Sequence, residues 1–571
     1  MKKLILGVLP PNYSPETHIP LGPFCFFNHE QIFSDWENIK FEQDPVSSKE
    51  ILKFFDELTT AYSRKVLVEI AEYLNKINKV EYSLRFWKII AFPWLLSFVQ
   101  CVFERQKRIM NILERYSKSS LEVDLLLDNI EWNFRDNYDF QINGIMNPLF
   151  NEWLFSRMLE SNTPNSWKIN YVDKSHEYKI TKKNKTLKGK VKHSINKLLA
   201  IISPFQPGYG FTKIEKMIFN VILYIKYFIY PSAYGKDDIS NQDEYHDMNI
   251  EWKFEFKSLL YATIPSALRE LNYIHRDINK YKLSNVSVIS VQSVYDSFTI
   301  MPRLAFSSTN YGTKIIGMQH GGHTYGTAYS DCTSEEMEYR LDHFITWGWR
   351  RHGDHKGNFI DLPSPMLSKI RNTHCQKNDH LVFVGTGVRL YTQRFQSAPQ
   401  PNQQIAYLKE KQHFLHNLES NIYSSVYYRN NPISPIFFDD LKYIKQHFPD
   451  IKILKGQLDN RLLKSKLLVL DHPGTTFNKA FAANIPTIAY WDDEHWPMCE
   501  EADALFKLLK DCGILYKNGE QAASKVNEIW NDIGGWWHGT QIQNVREMWS
   551  NKYARTSKNW RSEWVKMLWN L

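Results

Sequence analysis

The stretch Leu467-Leu468-Val469-Leu470-Asp471-His472-Pro473-Gly474-Thr475-Thr476-Phe477-Asn478-Lys479-Ala480-Phe481-Ala482-Ala483-Asn484-Ile485-Pro486-Thr487-Ile488-Ala489-Tyr490 decides how the rest of the chain is read. Both ends are short, continuous apolar runs, the texture of strands buried on both faces in a parallel sheet. Between them a Pro-Gly turn opens a helix over 477–484. Strand, helix and strand in this succession build a doubly wound sheet, whose ligands bind beyond the carboxyl ends of its strands.

Outward from that unit the same texture recurs. Val286–Val291, Lys314–Met318 and Leu381–Val384 read as further buried strands, with helical segments at 404–419, 437–447, 501–511 and 520–531. A polar break at 352–380, containing Gly353, Gly357, Pro363 and Pro365, predicts a hinge between two facing α/β domains. The expected division is 1–365, 366–550, and a C-terminal helix at 551–571 that packs back across the domains. From Ser47 to Arg115 the spacing of Ile51, Phe54, Phe55 and Leu58, and of Val66, Ile70, Tyr73 and Leu74, is helical. The amino-terminal domain is therefore expected to carry a large helical elaboration.

The bulk composition limits the remaining possibilities. In 571 residues, 43% hydrophobic and 23% charged, there is ample core for several domains and no signature of disorder. A formal charge of +8 is too mild for a dedicated nucleic-acid binder and suits an anionic ligand or surface. The six cysteines form no C-x-x-C pair, the usage of a reducing compartment rather than of a disulfide framework or zinc site. The apolar start, Leu4 to Leu9, is cut by Pro10-Pro11 and reads as a buried strand, so the expected location is cytoplasmic. Phe86–Phe103 and Met217–Tyr230 are interrupted by polar residues and read as buried helices, not membrane spans. Between 179 and 197 stand eight lysines and no acid. Such a run is most often a solvated face. Its functional reading is peripheral contact with an anionic membrane at the inner face of the cytoplasmic membrane.

Four loops at predicted strand ends carry the chemistry. Gln319-His320-Gly321-Gly322-His323 follows strand 314–318; its glycines let a backbone approach a ligand, and its histidines can bind an anion or move a proton. Asp471 to Phe477 includes His472, Pro473, Gly474, Thr475 and Thr476, an anion site at a helix start or simple capping. Gly385-Thr386-Gly387-Val388-Arg389, with Arg394 nearby, is either an ordinary tight turn or part of the same anion site. Asp296, after strand 286–291, serves equally well as a nucleophile or as a helix cap. The chain has no G-x-x-x-x-G-K-[ST], no G-x-S-x-G and no Asp-x-Asp, so P-loop, hydrolase and metal-clamped transferase readings lack support.

At these residues the sequence resembles a family of transferases from bacterial O-antigen and surface-polysaccharide loci, itself similar to retaining β-Kdo glycosyltransferases. The resemblance is carried by Gln319-His320-Gly321-Gly322 with Trp347-Gly348-Trp349, by Thr475-Thr476-Phe477, by Ala482-Ala483-Asn484-Ile485-Pro486-Thr487, and by Trp536-Trp537. Tyr82–Trp87 and Pro93-Trp94-Leu95 support it. The chain departs from the family at Leu21-Gly22-Pro23-Phe24-Cys25, where a Gly-Glu-Trp-Cys type of sequence is expected.

The resemblance implies a GT-B architecture of two Rossmann-like domains, the acceptor on the 1–365 side and the nucleotide on the 366–550 side. It also implies a CMP-sugar donor, most simply CMP-Kdo, used with retention, without metal or cofactor, on a lipid-linked glycan acceptor and with no nucleic-acid partner. In that scheme Asp296 is the nucleophile and His320 protonates the leaving phosphate or stabilises its charge. Gly385, Gly387, Arg389, His472, Pro473, Gly474, Thr475 and Thr476 hold the nucleotide, and Gln319, Gly321, Gly322 and His323 line the donor and acceptor loop. The alternatives are a UDP-sugar or CDP-polyol donor in the same frame, or a non-enzymatic, membrane-associated assembly protein.

Overall fold

The computed structural model describes residues 1–27, 40–42, 44–178, 205–207, 210–229, 248–271, 286–289, 301–351, 357–371, 378–431 and 437–571. Its strands form three sheets, parallel throughout. The first contains β1 (Lys2–Ile5), β2 (His18–Pro20), β3 (Leu121–Leu126) and β4 (Lys168–Val172), in the order β2-β1-β3-β4. The second runs in sequence order through β5 (Phe205–Gln206), β6 (Val286–Ile289), β7 (Lys314–Met318), β8 (His343–Thr346) and β9 (Phe359–Asp361). The third contains β10 (Leu381–Val384), β11 (Val426–Arg429), β12 (Lys452–Ile453), β13 (Leu467–Leu470), β14 (Thr487–Tyr490) and β15 (Leu515–Tyr516). Its order, β12-β11-β10-β13-β14-β15, is the doubly wound arrangement that reverses direction between its first and fourth strands.

The α/β class follows from these strands, and the apolar runs at 314–318, 381–384, 467–470 and 487–490 are indeed buried strands. Two readings need correcting. The amino-terminal part is more than a helical elaboration, because it has its own parallel sheet. β4, with a half-exposed, polar sequence, carries no buried-strand signal. The stretch 352–380 is not a plain hinge either. Phe359–Asp361 adds an edge strand to the second sheet and Pro365–Arg371 is helical.

Helices Lys49–Asn78, Leu84–Ile90 and Phe92–Tyr116 form the centre of the amino-terminal part. The last has Pro93 in its first turn and is buried along nearly its whole length, as expected for an apolar helix serving several neighbours. Among the described residues no single helix is long and apolar enough to cross a membrane. Helix Lys213–Ile229 departs from the expected burial: it buries Phe219 and Leu223 but exposes Ile214, Met217, Ile218, Val221, Tyr224 and Ile225. Of the C-terminal tryptophans, Trp537 and Trp549 pack on the third sheet's helices, against Phe481 and Phe477, while Trp560 and Trp564 pack beside the second sheet.

A buried ionic cluster locks helix Phe92–Tyr116 to its surroundings. Glu104 accepts from Arg105 Nη1 at 2.6 Å and from Arg108 Nη2 at 2.6 Å, and Arg108 also reaches Asp44 at 2.8 Å. Arg105 Nε donates to Asn151 Oδ1 at 2.9 Å and its Nη1 to the Thr392 carbonyl at 3.0 Å. One side chain thus ties the first sheet's helix Pro148–Glu160 to the loop that follows β10. Burial opposes the Glu104 charge, but Arg108 and Arg105 outweigh it and hold its pKa below the usual value.

Removing the shared acid should strand the buried Arg105 and leave Arg108 with Asp44 alone. Glu104→Gln is expected to cost about 3–5 kcal/mol, read as a lower urea midpoint. Lys257→Gln, which breaks an exposed pair with Glu69, should change stability by less than about 1 kcal/mol.

Candidate active site

Three strand ends meet at one place. β7 delivers residues 319–326, β10 delivers 385–394 and β13 delivers 471–477. In the third sheet Val384 pairs with Leu470, so Gly385 and Asp471 leave the sheet at one level, at the point where the strand order reverses. The Thr386 N–H donates to Asp471 Oδ1 at 2.8 Å, and His472 Nδ1 lies 2.9 Å from the same oxygen. A carboxylate only accepts, so the proton sits on Nδ1, leaving His472 Nε2 as an acceptor when the ring is neutral. Beneath both loops lies the buried Lys411, which donates to the Thr386 carbonyl at 2.6 Å and to Asp440 Oδ2 at 2.7 Å, with Asp471 Oδ2 at 3.6 Å. Burial works against the ammonium charge; Asp440 and Asp471 outweigh it and raise its pKa. The Tyr428 hydroxyl donates to Asp440 as well. Gly385 and Gly387 therefore sit over a buried base of one ammonium and two carboxylates.

The second sheet's loop touches this base through backbone. A Cβ on Gly322 would lie 2.7 Å from both Gly474 C and Thr475 N, so only glycine permits the approach. The Gly322 N–H donates to Thr475 Oγ1 at 3.0 Å. A further pair of bonds, Tyr329 N–H to the Pro497 carbonyl at 3.1 Å and Cys499 N–H to the Thr327 carbonyl at 2.9 Å, joins the two parts. The Thr475 hydroxyl thus already accepts one bond, and its own proton stays available to a ligand. Thr476 is half-buried at the start of helix Thr475–Ala482, whose N-cap Gly474 contributes no side chain. Pro473 is buried in the turn.

Gln319 braces the loop. Its Nε2 donates to the Gly321 carbonyl at 2.8 Å and its Oε1 accepts from Trp347 N–H and Trp349 Nε1 at 2.9 and 2.8 Å. His323 is buried edge-on to Trp496, at 4.5 Å between ring centres, and burial with the nearby His472 pushes its pKa down to about 3.

His320 opens instead on a cavity of about 190 Å³ that it shares with Tyr325, Glu338, Arg389, Gln393 and Arg394. The Tyr325 hydroxyl lies 3.0 Å from His320 Nδ1 and donates to Glu338 Oε1 at 3.2 Å. Burial and the Arg394 charge push the imidazole pKa down to about 4, so at neutral pH the ring carries no charge. It is a hydrogen-bond partner or a base, and not a ready source of a proton.

Arg394 Nε donates to Ser397 Oγ at 2.9 Å. Arg389 lies over the Phe437 ring at 5.6 Å, and its Nε is sealed without a hydrogen-bond partner. Burial, then the like charge of Arg394, lower the Arg389 pKa to about 9. Neither guanidinium has a carboxylate among the described residues within ion-pair distance. Two adjacent cations held this way fit an anionic ligand.

Sequence reasoning misses Gln141, Glu338, Lys411 and Asp440. Gln141–Ile145 and Glu335–Tyr339 are π-helical turns, and each puts one polar residue on the cavity wall. Such single inserted residues leave no periodic signal, although they recur at functional sites. Asp296 lies outside the described residues.

The chain matches the family model of the LIC12162 family transferases over residues 2–568 and belongs to that family. No curated protein matches it in sequence. In structure it is similar to WaaG, a glycosyltransferase involved in lipopolysaccharide biosynthesis. That match has 9% identity and a TM-score of 0.26, covering 53% of this chain and 83% of that one. It is also similar to Arabidopsis thaliana UGT89C1 complexed with quercetin, at 9% identity and a TM-score of 0.29 over 83% of this chain and 96% of that one. Likeness this low bears on neither substrate nor mechanism.

The two depressed histidines set a pH dependence. Their folded pKa values, about 4 and about 3, lie below the ordinary 6.5, so the unfolded chain takes up protons first as pH falls. The stability they contribute is present above pH 6.5 and is lost as pH falls toward 4. Between pH 7 and pH 5 each should cost about 2 kcal/mol. Urea midpoints at the two pH values check this, and His320→Gln should remove about half of the histidine share.

Proposed function

We propose that this transferase is a GT-B glycosyltransferase of surface-polysaccharide synthesis that moves an acidic keto-sugar, Kdo carried on CMP, to a lipid-linked glycan acceptor with retention. The observation that carries the reading is the convergence of Arg389 and Arg394, unmatched by any described carboxylate, on the cavity that also holds His320. A sugar carboxylate or a nucleotide phosphate supplies the charge that these guanidiniums lack, and a bidentate arginine contact would also fix its orientation.

In this scheme the nucleotide lies along the reversal point of the third sheet, between Gly385-Thr386-Gly387 and His472-Pro473-Gly474. Such crevices receive nucleotides in doubly wound sheets. Lys411 sets the level of both loops, and the Thr475 and Thr476 hydroxyls with the first turn of their helix face the phosphate. The Asp296 carboxylate attacks the anomeric carbon as the bond to the CMP phosphate oxygen breaks, and CMP leaves. The acceptor hydroxyl then displaces Asp296, giving up its proton to a base. His320 gives its Nδ1 proton to the Tyr325 oxygen, whose own proton goes to Glu338. The neutral ring therefore has a bare Nε2, which donates to the departing phosphate only after taking up a proton. An arriving anion favours the imidazolium and so raises the imidazole pKa toward a value useful for proton transfer.

Thermal-shift titration with CMP, CDP and UDP tests the donor class. CMP at one hundred times its Kd should stabilise the protein by about 2.7 kcal/mol; a shift with UDP alone would replace the proposed donor. Arg389→Gln and Arg394→Gln should each lower kcat/KM about 10- to 100-fold, the cost of one charge-assisted bond. Asp296→Ala should abolish turnover while leaving the CMP shift intact, which full activity would contradict.

A further inference from the structure

Helix Lys213–Ile229 is apolar on two sides. Its inner side buries Phe219 and Leu223 against Ile316 and Met318 of β7, Ile345 of β8, and Trp564. On its outer side Ile214, Met217, Ile218, Val221, Tyr224 and Ile225 are 44% to 67% exposed. At about 100° per residue these six fall within one arc of roughly 120°. They form a continuous row, whereas exposed apolar residues on most surfaces are scattered singly.

The charges around this row are mainly basic. Helix Trp560–Asn570 lies alongside, with the Lys226 ammonium donating to the Leu568 carbonyl at 3.3 Å. The two helices carry Lys213, Lys216, Lys226, Arg561 and Lys566 against only Glu215 and Glu563. Both acids are already engaged: Glu215 is buried and paired with Lys369 at 2.5 Å and Arg561 at 2.7 Å, and Glu563 is paired with Arg555 at 3.1 Å. Lys213, Lys566 and Trp569 are exposed.

We infer that this face docks on an anionic lipid bilayer, with helix Lys213–Ile229 lying in the plane of the interface. An apolar row enters the acyl boundary while the flanking lysines meet the headgroups, which is how amphipathic helices hold to anionic membranes. A second copy of the chain is the poorer occupant, because a two-fold contact through this face would set its lysines against themselves.

The full-length protein is sedimented with vesicles of phosphatidylcholine alone and of phosphatidylcholine mixed with phosphatidylglycerol. Binding to the mixed vesicles only, weakened by salt, is expected. The double variant Ile218→Asp with Val221→Asp should reduce binding roughly tenfold or more with an unchanged melting temperature. If that variant melts early, Lys213→Glu with Lys566→Glu is decisive, since neither side chain is buried, and it too should reduce binding. The inference is overturned if the wild type ignores anionic vesicles or if these variants bind as it does. It is equally overturned if neutralising Lys182 to Lys192 alone abolishes binding, or if light scattering shows a dimer that the aspartates dissolve.

Discussion

The close approach of Gly322 to Gly474 and Thr475 is the contact on which the site depends. Two parallel sheets can present their strand ends to each other only if the loops between them are thin, and here backbone meets backbone. The bond from Gly322 N–H to the Thr475 hydroxyl contributes only about 0.5–1.5 kcal/mol net. It is the geometry that matters. With no side chain in the way, His320 from the second sheet comes to share one cavity with Arg389 and Arg394 from the third. The strength that holds the parts together lies elsewhere, in the apolar core and in the Glu104 cluster, which anchors the middle of the 385–400 loop at Thr392.

The buried cations divide into two kinds. Lys411 has two carboxylates and a carbonyl around its ammonium, and its pKa is raised. That is a closed structural site, whose role is to fix where Gly385-Thr386-Gly387 and Asp471-His472 begin. Arg389 has an aromatic face and, among the described residues, no carboxylate within ion-pair distance, and its pKa is lowered. A guanidinium kept in that state costs stability when the cavity is empty, and it regains that cost when an anion arrives. The contrast between the two environments, more than any motif, separates scaffold from site.

Much of this architecture was legible because central parallel strands are buried on both faces and write themselves as unbroken apolar runs. Lys314–Met318, Leu381–Val384 and Leu467–Leu470 are of that kind, and the loops after them hold the site. The first sheet was harder to see. β3 alternates Glu122 and Asp124 with buried Leu121, Val123 and Leu125, a shorter and weaker signal than an unbroken apolar run. β4 is an edge strand with a polar face that does not differ from surface chain by pattern. Glu338 and Gln141 were invisible for another reason: they reach the cavity through π-helical turns, which break the 3.6 period instead of following it. Lys411 reads in sequence as one more lysine of an exposed helix. Only the fold reveals that it points inward, to Asp440 and Asp471.

Helix Lys213–Ile229 also links surface and site more closely than their sequence distance suggests. Its inner side rests on Ile316 and Met318, the third and the final residue of β7, and β7 ends directly before Gln319 and His320. The helix is therefore one layer away from the histidine loop, on the same strand. A strand packed at interior density passes a shift of its covering helix along its own length instead of absorbing it. Gln319 stands where such a shift would arrive, with its three bonds to Gly321, Trp347 and Trp349 joining β7, β8 and the loop. The outward-facing apolar row and the charged cavity are thus joined through one strand, which the helix covers on one side and the histidine loop continues at its end.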